Sequence, residues 1–97
     1  MVHVLIRQKV ADYTRWRPAF DRMFRHDMGG EHNCRVFHSP EDVNDLTLFF
    51  DWENLDRARQ FISSKEMEDW MKQAGVIGTP EVCYLSELHP WRRSSAD

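Results

Sequence analysis

Proton transfer near neutral pH is histidine chemistry, and the chain carries five histidines: His3, His26, His32, His38 and His89. No two stand four apart on a helical stretch, and no carboxylate–histidine spacing matches a metal site. His3, His26, His32 and His89 read as surface or interface residues. His38 differs, because it ends an extended run beside a polar connection. If Val36 faces the helices, His38 does too, at the mouth of any cavity there. From that place it would take a proton from a phenol or an activated carbon. The competing reading is a partly exposed histidine at a strand end.

A second set is aromatic. Trp16, Phe20, Phe50, Trp52 and Trp70 fall on stretches whose periodicities direct them toward one another, and together they would wall a flat apolar pocket. The same residues would equally serve as ordinary core, and large rings packed imperfectly do both. No Ser-His-Asp arrangement, G-x-S-x-G or Gly-rich phosphate loop is present, and no motif for a metal or flavin occurs. The chemistry expected is therefore cofactor-free. Cys34 and Cys83 lack C-x-x-C spacing, and both are expected to be free, buried thiols within strands.

These side chains must be held by elements that the pattern defines. Val2, Val4, Ile6 and Val10 alternate with His3, Leu5, Arg7 and Lys9, which makes Val2 to Val10 a first strand. Asp12 caps a helix with an apolar stripe of Tyr13, Trp16, Phe20, Met23 and Phe24, closed by Met28-Gly29-Gly30. Pro18 either kinks this helix or opens its main part at the first position. Residues 31–38 form a second strand, and SPEDVN (39–44) is a polar connection. Residues 45–53 form the organising strand, with Leu46, Leu48, Phe50 and Trp52 on its apolar face. Asn54 caps the next helix, which breaks at Ser63-Ser64. Ser63 with Glu66 matches a capping box for a second segment, and Gly75 ends it. Residues 76–80 read as a loop and 80–88 as the last strand.

The order is β-α-β-β-α-β. It predicts an α+β, ferredoxin-like fold: a four-stranded antiparallel sheet with its helices on one face. Leu5, Phe37, Phe49, Cys83 and Leu85 then fall on the face without helices, too apolar to stand in water. A second copy of the sheet is the simplest cover, which predicts a homodimer. The 97 residues make one domain, 1–88, with a tail at 89–97. A net charge of −3 argues against nucleic acid or an anionic membrane as main partner. The third strand lacks the glycine-containing aromatic signature of RNA-recognition domains. No apolar run reaches the ~20 residues of a membrane span, and MVHVLIRQKV is too charged for a signal peptide. A cytoplasmic location is expected.

The phrases D-Y-x-x-W-x-P-x-F (12–20) and W-E-N-L-D-x-A-x-x-F (52–61), set in this layout, resemble the small dimeric α/β-barrel proteins of the antibiotic-biosynthesis-monooxygenase-like superfamily. The resemblance covers residues 2 to about 88, and its phrases are structural rather than catalytic. It implies a homodimeric α/β barrel with sheets packed face to face, and a cavity in each protomer between sheet and helices. It also implies a range of activities, from cofactor-free monooxygenases on polycyclic aromatics to haem degradation and isomerisation. The haem branch uses a histidine late in the second helix and an asparagine on the first strand; here no histidine follows Trp70 in the helix, and the first strand offers only Gln8. The expectation is a cofactor-free monooxygenase or cyclase-type enzyme acting on a small aromatic or polyketide-like molecule. The alternative is a non-catalytic binding or dimerisation protein of the same fold, holding a small apolar or aromatic ligand. On either reading Trp16, Phe20, Phe50, Trp52 and Trp70 bind the ligand, and His38 is the catalytic candidate.

Overall fold

Alternation of apolar and polar residues at Val2–Val10 becomes strand β1, and the stripe that follows Asp12 becomes helix α1, Tyr13–Met23. The computed structural model describes residues 2–24 and 31–91, so the expected stop at Met28-Gly29-Gly30 lies outside the described residues. Strands β2 (Glu31–Ser39) and β3 (Asp42–Trp52) follow, then helices α2 (Leu55–Ile62) and α3 (Lys65–Ala74), then β4 (Val76–Ser86). The strands form one antiparallel sheet in the order β2-β3-β1-β4, which is the ferredoxin-like arrangement.

The parity of each strand decides what it positions. Val4, Ile6, Gln8 and Val10 of β1 and Leu46, Leu48, Phe50 and Trp52 of β3 are buried against Trp16, Ala19, Ala58, Phe61, Met67, Trp70 and Ala74 of the helices. Pairing fixes the second strand: Val36 lies opposite Leu48 and Phe37 opposite Thr47. Phe37 therefore joins Leu5, Phe49, Cys83 and Leu85 on the face away from the helices, as expected.

Capping follows local chemistry. The Asp12 carboxylate accepts from Thr14 N at 2.9 Å, and the Asn54 side chain accepts from Arg57 N at 2.9 Å. Gly75, at φ +83°, takes the left-handed conformation that ends α3. α1 passes through Pro18 as one helix. Thr14 and Pro18 are both exposed, so the carbonyl left without a helical donor lies on the wet side.

Four expectations need correction. The start of α3 is capped by Ser64, whose hydroxyl accepts from Met67 N at 3.1 Å; Ser63 instead closes α2 by donating to Arg59 O at 2.7 Å. The connection 39–44 is only a two-residue turn, because Asp42, Val43 and Asn44 belong to β3. Their polarity hid the strand: Asp42 Oδ1 accepts from Asn44 N, and Asn44 Oδ1 accepts from Tyr13 N at 2.8 Å, fastening α1 to the sheet. Residues 76–80 are not a loop, since Val76 and Ile77 pair with Val10 and Lys9 before the strand bulges. Finally, the cysteines are not buried as expected: Cys83 is exposed and Cys34 only half-buried, and pairing with Leu5 puts Cys83 on the face that no helix covers.

Candidate functional site

The five aromatic side chains expected to meet do meet, between the sheet and the helices. Trp16 of α1 stacks on Phe20 with centroids 4.8 Å apart and meets the edge of Trp70 of α3 at 6.4 Å. Phe20 lies 6.4 Å from Trp70, and Phe50 meets Trp52 at 5.7 Å. Phe24 joins the two groups, 5.2 Å from Phe50 and 6.3 Å from Trp70. Trp16, Phe50 and Trp52 have no exposed surface, and Trp70 has little.

Buried polar side-chain atoms on the helix side of the sheet fall into two classes. Trp70 Nε1 donates to the Ala19 carbonyl at 2.9 Å, so its N–H is satisfied. Trp16 Nε1 is buried without a hydrogen-bond partner, and so are both Oε1 and Nε2 of Gln8, a residue only 3% exposed. Native structures leave few such atoms, because each costs ~1–3 kcal/mol when orphaned. Gln8 is the residue that the sequence reading underused. It stands between Ile6 and Val10 at a buried parity, so a polar residue in an apolar register was the available signal.

His38 lies on the helix side of β2, opposite Leu46, but on the sheet edge, where it is exposed. Its Nδ1 is 2.7 Å from the Ser39 carbonyl. A carbonyl only accepts, so Nδ1 carries the proton and Nε2 keeps a basic lone pair. The structure thus places His38 beside exposed Val36, at the rim, rather than among the buried rings.

Among the described residues, clefts on the surface are lined by other side chains. One, of about 320 Å³, is bordered by Arg7, Gln8, Lys9, Ile77, Gly78, Thr79 and Glu81. Another, of about 370 Å³, lies between α3 and β4 and shares Gly78 and Thr79 with the first. A third, of about 140 Å³, includes Arg59 and Tyr84, whose ring the Arg59 guanidinium covers at 5.4 Å. Burial pushes the Tyr84 phenol up, and the Arg59 charge partly opposes this. On the open face Arg7 holds Asp45 through two hydrogen bonds of 3.0 and 3.3 Å, which lower the Asp45 carboxyl. There too His3 Nδ1 donates to Asp51 at 2.7 Å, with its ring stacked on Phe49 at 5.2 Å. Among the described residues no three His, Cys, Asp or Glu side chains converge as a metal site would require.

This architecture recurs in solved structures. It is the fold of the antibiotic-biosynthesis-monooxygenase-like proteins. SnoaB from Streptomyces nogalater, a cofactor-independent oxygenase, superimposes with a TM-score of 0.69 at 15% identity, covering 99% of this chain and 97% of its own. An antibiotic biosynthesis monooxygenase aligns with a TM-score of 0.69 at 9% identity, over 92% of this chain and 100% of its own. Rv0793 from Mycobacterium tuberculosis gives 0.65 at 18% identity, over 92% and 96%. No protein-family model matches the chain, and no curated protein matches it. At these identities the likeness establishes the fold.

Proposed function

We propose that the chain is a cofactor-independent oxygenase or cyclase-type enzyme acting on a small aromatic or polyketide-like molecule. One observation carries this reading: an interior formed by Trp16, Phe20, Phe50, Trp52 and Trp70 in which Trp16 Nε1 is buried without a hydrogen-bond partner. Stacked rings suit a flat substrate, and the orphaned Trp16 N–H suits one of its oxygens. A base removes a proton from the substrate; the resulting carbanion gives its electron pair to dioxygen, forming a C–O bond to a peroxide that takes the proton back and loses water to leave a carbonyl, or to an internal carbonyl, forming a C–C bond and an alkoxide that takes the proton back. His38 Nε2 is the proposed base, reached at the rim of the sheet. The fold of SnoaB, a cofactor-independent oxygenase, supports the class of chemistry.

The test is oxygen uptake with anthrone, a carbon acid of the right shape. His38→Ala is expected to lower turnover about a hundredfold, with the fold retained by circular dichroism. Uptake unchanged in that variant removes His38 from the reaction. The exposure of His38 favours a second reading, a binding protein without chemistry. It predicts no oxygen uptake, and anthrone affinity that is the same in His38→Ala.

The open sheet face supports a homodimer, in which Leu5, Phe37, Phe49 and Leu85 of two copies pack together. Two such faces would bury at least the ~1,600 Å² of a standard complex. Light scattering at micromolar concentration should then give about twice the 11.6 kDa of one chain, and a monomer would reject the arrangement. No helix among the described residues is long and apolar enough to cross a membrane. On this reading residues 1–88 are one domain and the location is cytoplasmic.

A further inference from the structure

We propose that the paired side chains of His3 and Asp51 make the joining of two copies proton-linked: each chain takes up a proton as its open face is covered, so the dimer tightens as pH falls through the neutral range. The proposal rests on the reading of that face as the place where two copies meet, and it adds the regulation of their meeting.

Strands β1 and β3 bring the two side chains together. Val4 and Ile6 are buried against the helices, so His3 faces the other way, and Asp51 lies directly across from it. His3 Nδ1 donates to Asp51 Oδ1 at 2.7 Å. The bond occupies Nδ1, which leaves Nε2 as the place for a second proton. The imidazole stacks on Phe49 with ring planes 22° apart. On its other flank stands Leu85 of β4, with Cys83 next along that strand. The side chains of His3 and Asp51 keep 21% and 28% of their surface exposed, on the face that a second copy would cover.

Among the described residues no other cation balances Asp51. Asn33 of β2 lies across from it. Arg35, the next residue of β2 on this face, holds its guanidinium 5.1 Å from the Phe37 ring, toward Thr47 and away from Asp51. Arg7 and Lys9 lie farther along β1 and have Glu81 and Asp45 as cross-strand neighbours. With a neutral imidazole the pair therefore carries one unbalanced negative charge.

Covering the face withdraws water from that charge in both copies, which is costly for an ion without a counter-ion. One added proton removes the cost. Imidazolium with carboxylate, or imidazole with carboxylic acid, is neutral as a pair, so the proton belongs to the pair rather than to either residue. The Phe49 face also attracts an imidazolium, and more so once water has left. Histidine is the side chain suited to gaining this proton between pH 5 and 8. The covered pair then binds protons that the separate chains do not, and linkage makes association stronger as pH falls. One proton per chain sets an upper limit of about 100-fold in Kd per pH unit.

Sedimentation equilibrium of the full chain at constant ionic strength tests this. The wild-type Kd for dissociation into single chains should fall at least about tenfold from about pH 8 to about pH 6. His3→Gln, whose amide still donates to Asp51 but gains no proton, should lose the dependence. Asp51→Asn should reverse it, because an imidazolium is then the unbalanced charge and the dimer loosens as pH falls. A wild-type Kd that is constant or rises as pH falls, a wild-type slope that persists in His3→Gln, or the wild-type direction in Asp51→Asn would each overturn the proposal. Should Asp51→Asn fail to fold by circular dichroism, wild type and His3→Gln decide. A monomer at every pH rejects the meeting of two copies and this inference with it. A dimer of constant affinity rejects the inference alone and leaves the homodimer standing.

Discussion

Replacing Gln8 by Leu should make the ligand-free protein more stable. Gln8 lies on the helix side of β1, where its neighbours in the strand are Ile6 and Val10 and its partner across the sheet is Leu46, all buried. Its amide oxygen and nitrogen are both without hydrogen bonds. Each orphaned group costs ~1–3 kcal/mol relative to water. Leucine is of similar length, removes both groups and adds apolar surface to an apolar wall. The expected gain is about 2 kcal/mol or more, the lower end of the two costs taken together. For a chain of this size each kcal/mol moves Tm by about 4 °C or more, so Tm should rise by roughly 8 °C. Urea denaturation at one fixed protein concentration measures the gain as a higher midpoint with the slope unchanged. A midpoint that stays put or falls would show that the amide already has partners, such as ordered water, and that the orphaned-amide argument is wrong.

Two further outcomes follow from the open face. The Asp45 carboxyl is held below its ordinary value, chiefly by its hydrogen bonds to Arg7, so it favours the folded chain above the unfolded carboxylate value of ~3.9 and loses that contribution as pH falls through its lower folded value. Asp45→Asn should therefore flatten the stability profile below pH ~4 while barely changing its shape near neutrality, and acid titrations of the two proteins that run parallel would reject this. Leu85→Glu, on the face proposed to join two copies, should yield a monomer by light scattering and speed thiol labelling of Cys83 several-fold, with Cys34, on the helix side of β2, unaffected. A dimeric wild type whose Cys83 labels as fast as the variant's would place the interface elsewhere.

Much of the fold was legible because its signals are local and repeat. Alternation in Leu46, Leu48, Phe50 and Trp52 and the helical stripe of Met67, Trp70, Met71 and Ala74 each specify an element and its buried side. Caps at Asp12 and Asn54 and the glycine at Gly75 need only their own neighbours, and they stood where expected. Failures came where a distant partner overrides local preference. Asp42 and Asn44 look like loop residues, yet Asp42 pairs with Ser39 of β2 and Asn44 is tied to the start of α1. Val76 and Ile77 follow the helix-ending Gly75 and read as loop, yet they pair with Val10 and Lys9 on a strand far back in the chain. Ser63 and Ser64 differ by one position, and only backbone geometry shows which hydroxyl reaches a free N–H.

The candidate site was legible to a lesser degree, for a reason that also explains its energetics. Periodicity reports which side chains face inward and nothing about whether their polar atoms are satisfied. Trp16, Phe20, Phe50, Trp52 and Trp70 were readable as inward-facing, but Trp70 donates to Ala19 while Trp16 donates to nothing, and no pattern distinguishes the two. Gln8 is the sharper case. A chain selected for stability alone would carry an aliphatic residue at that position, as it does at Val4, Ile6 and Val10 on either side.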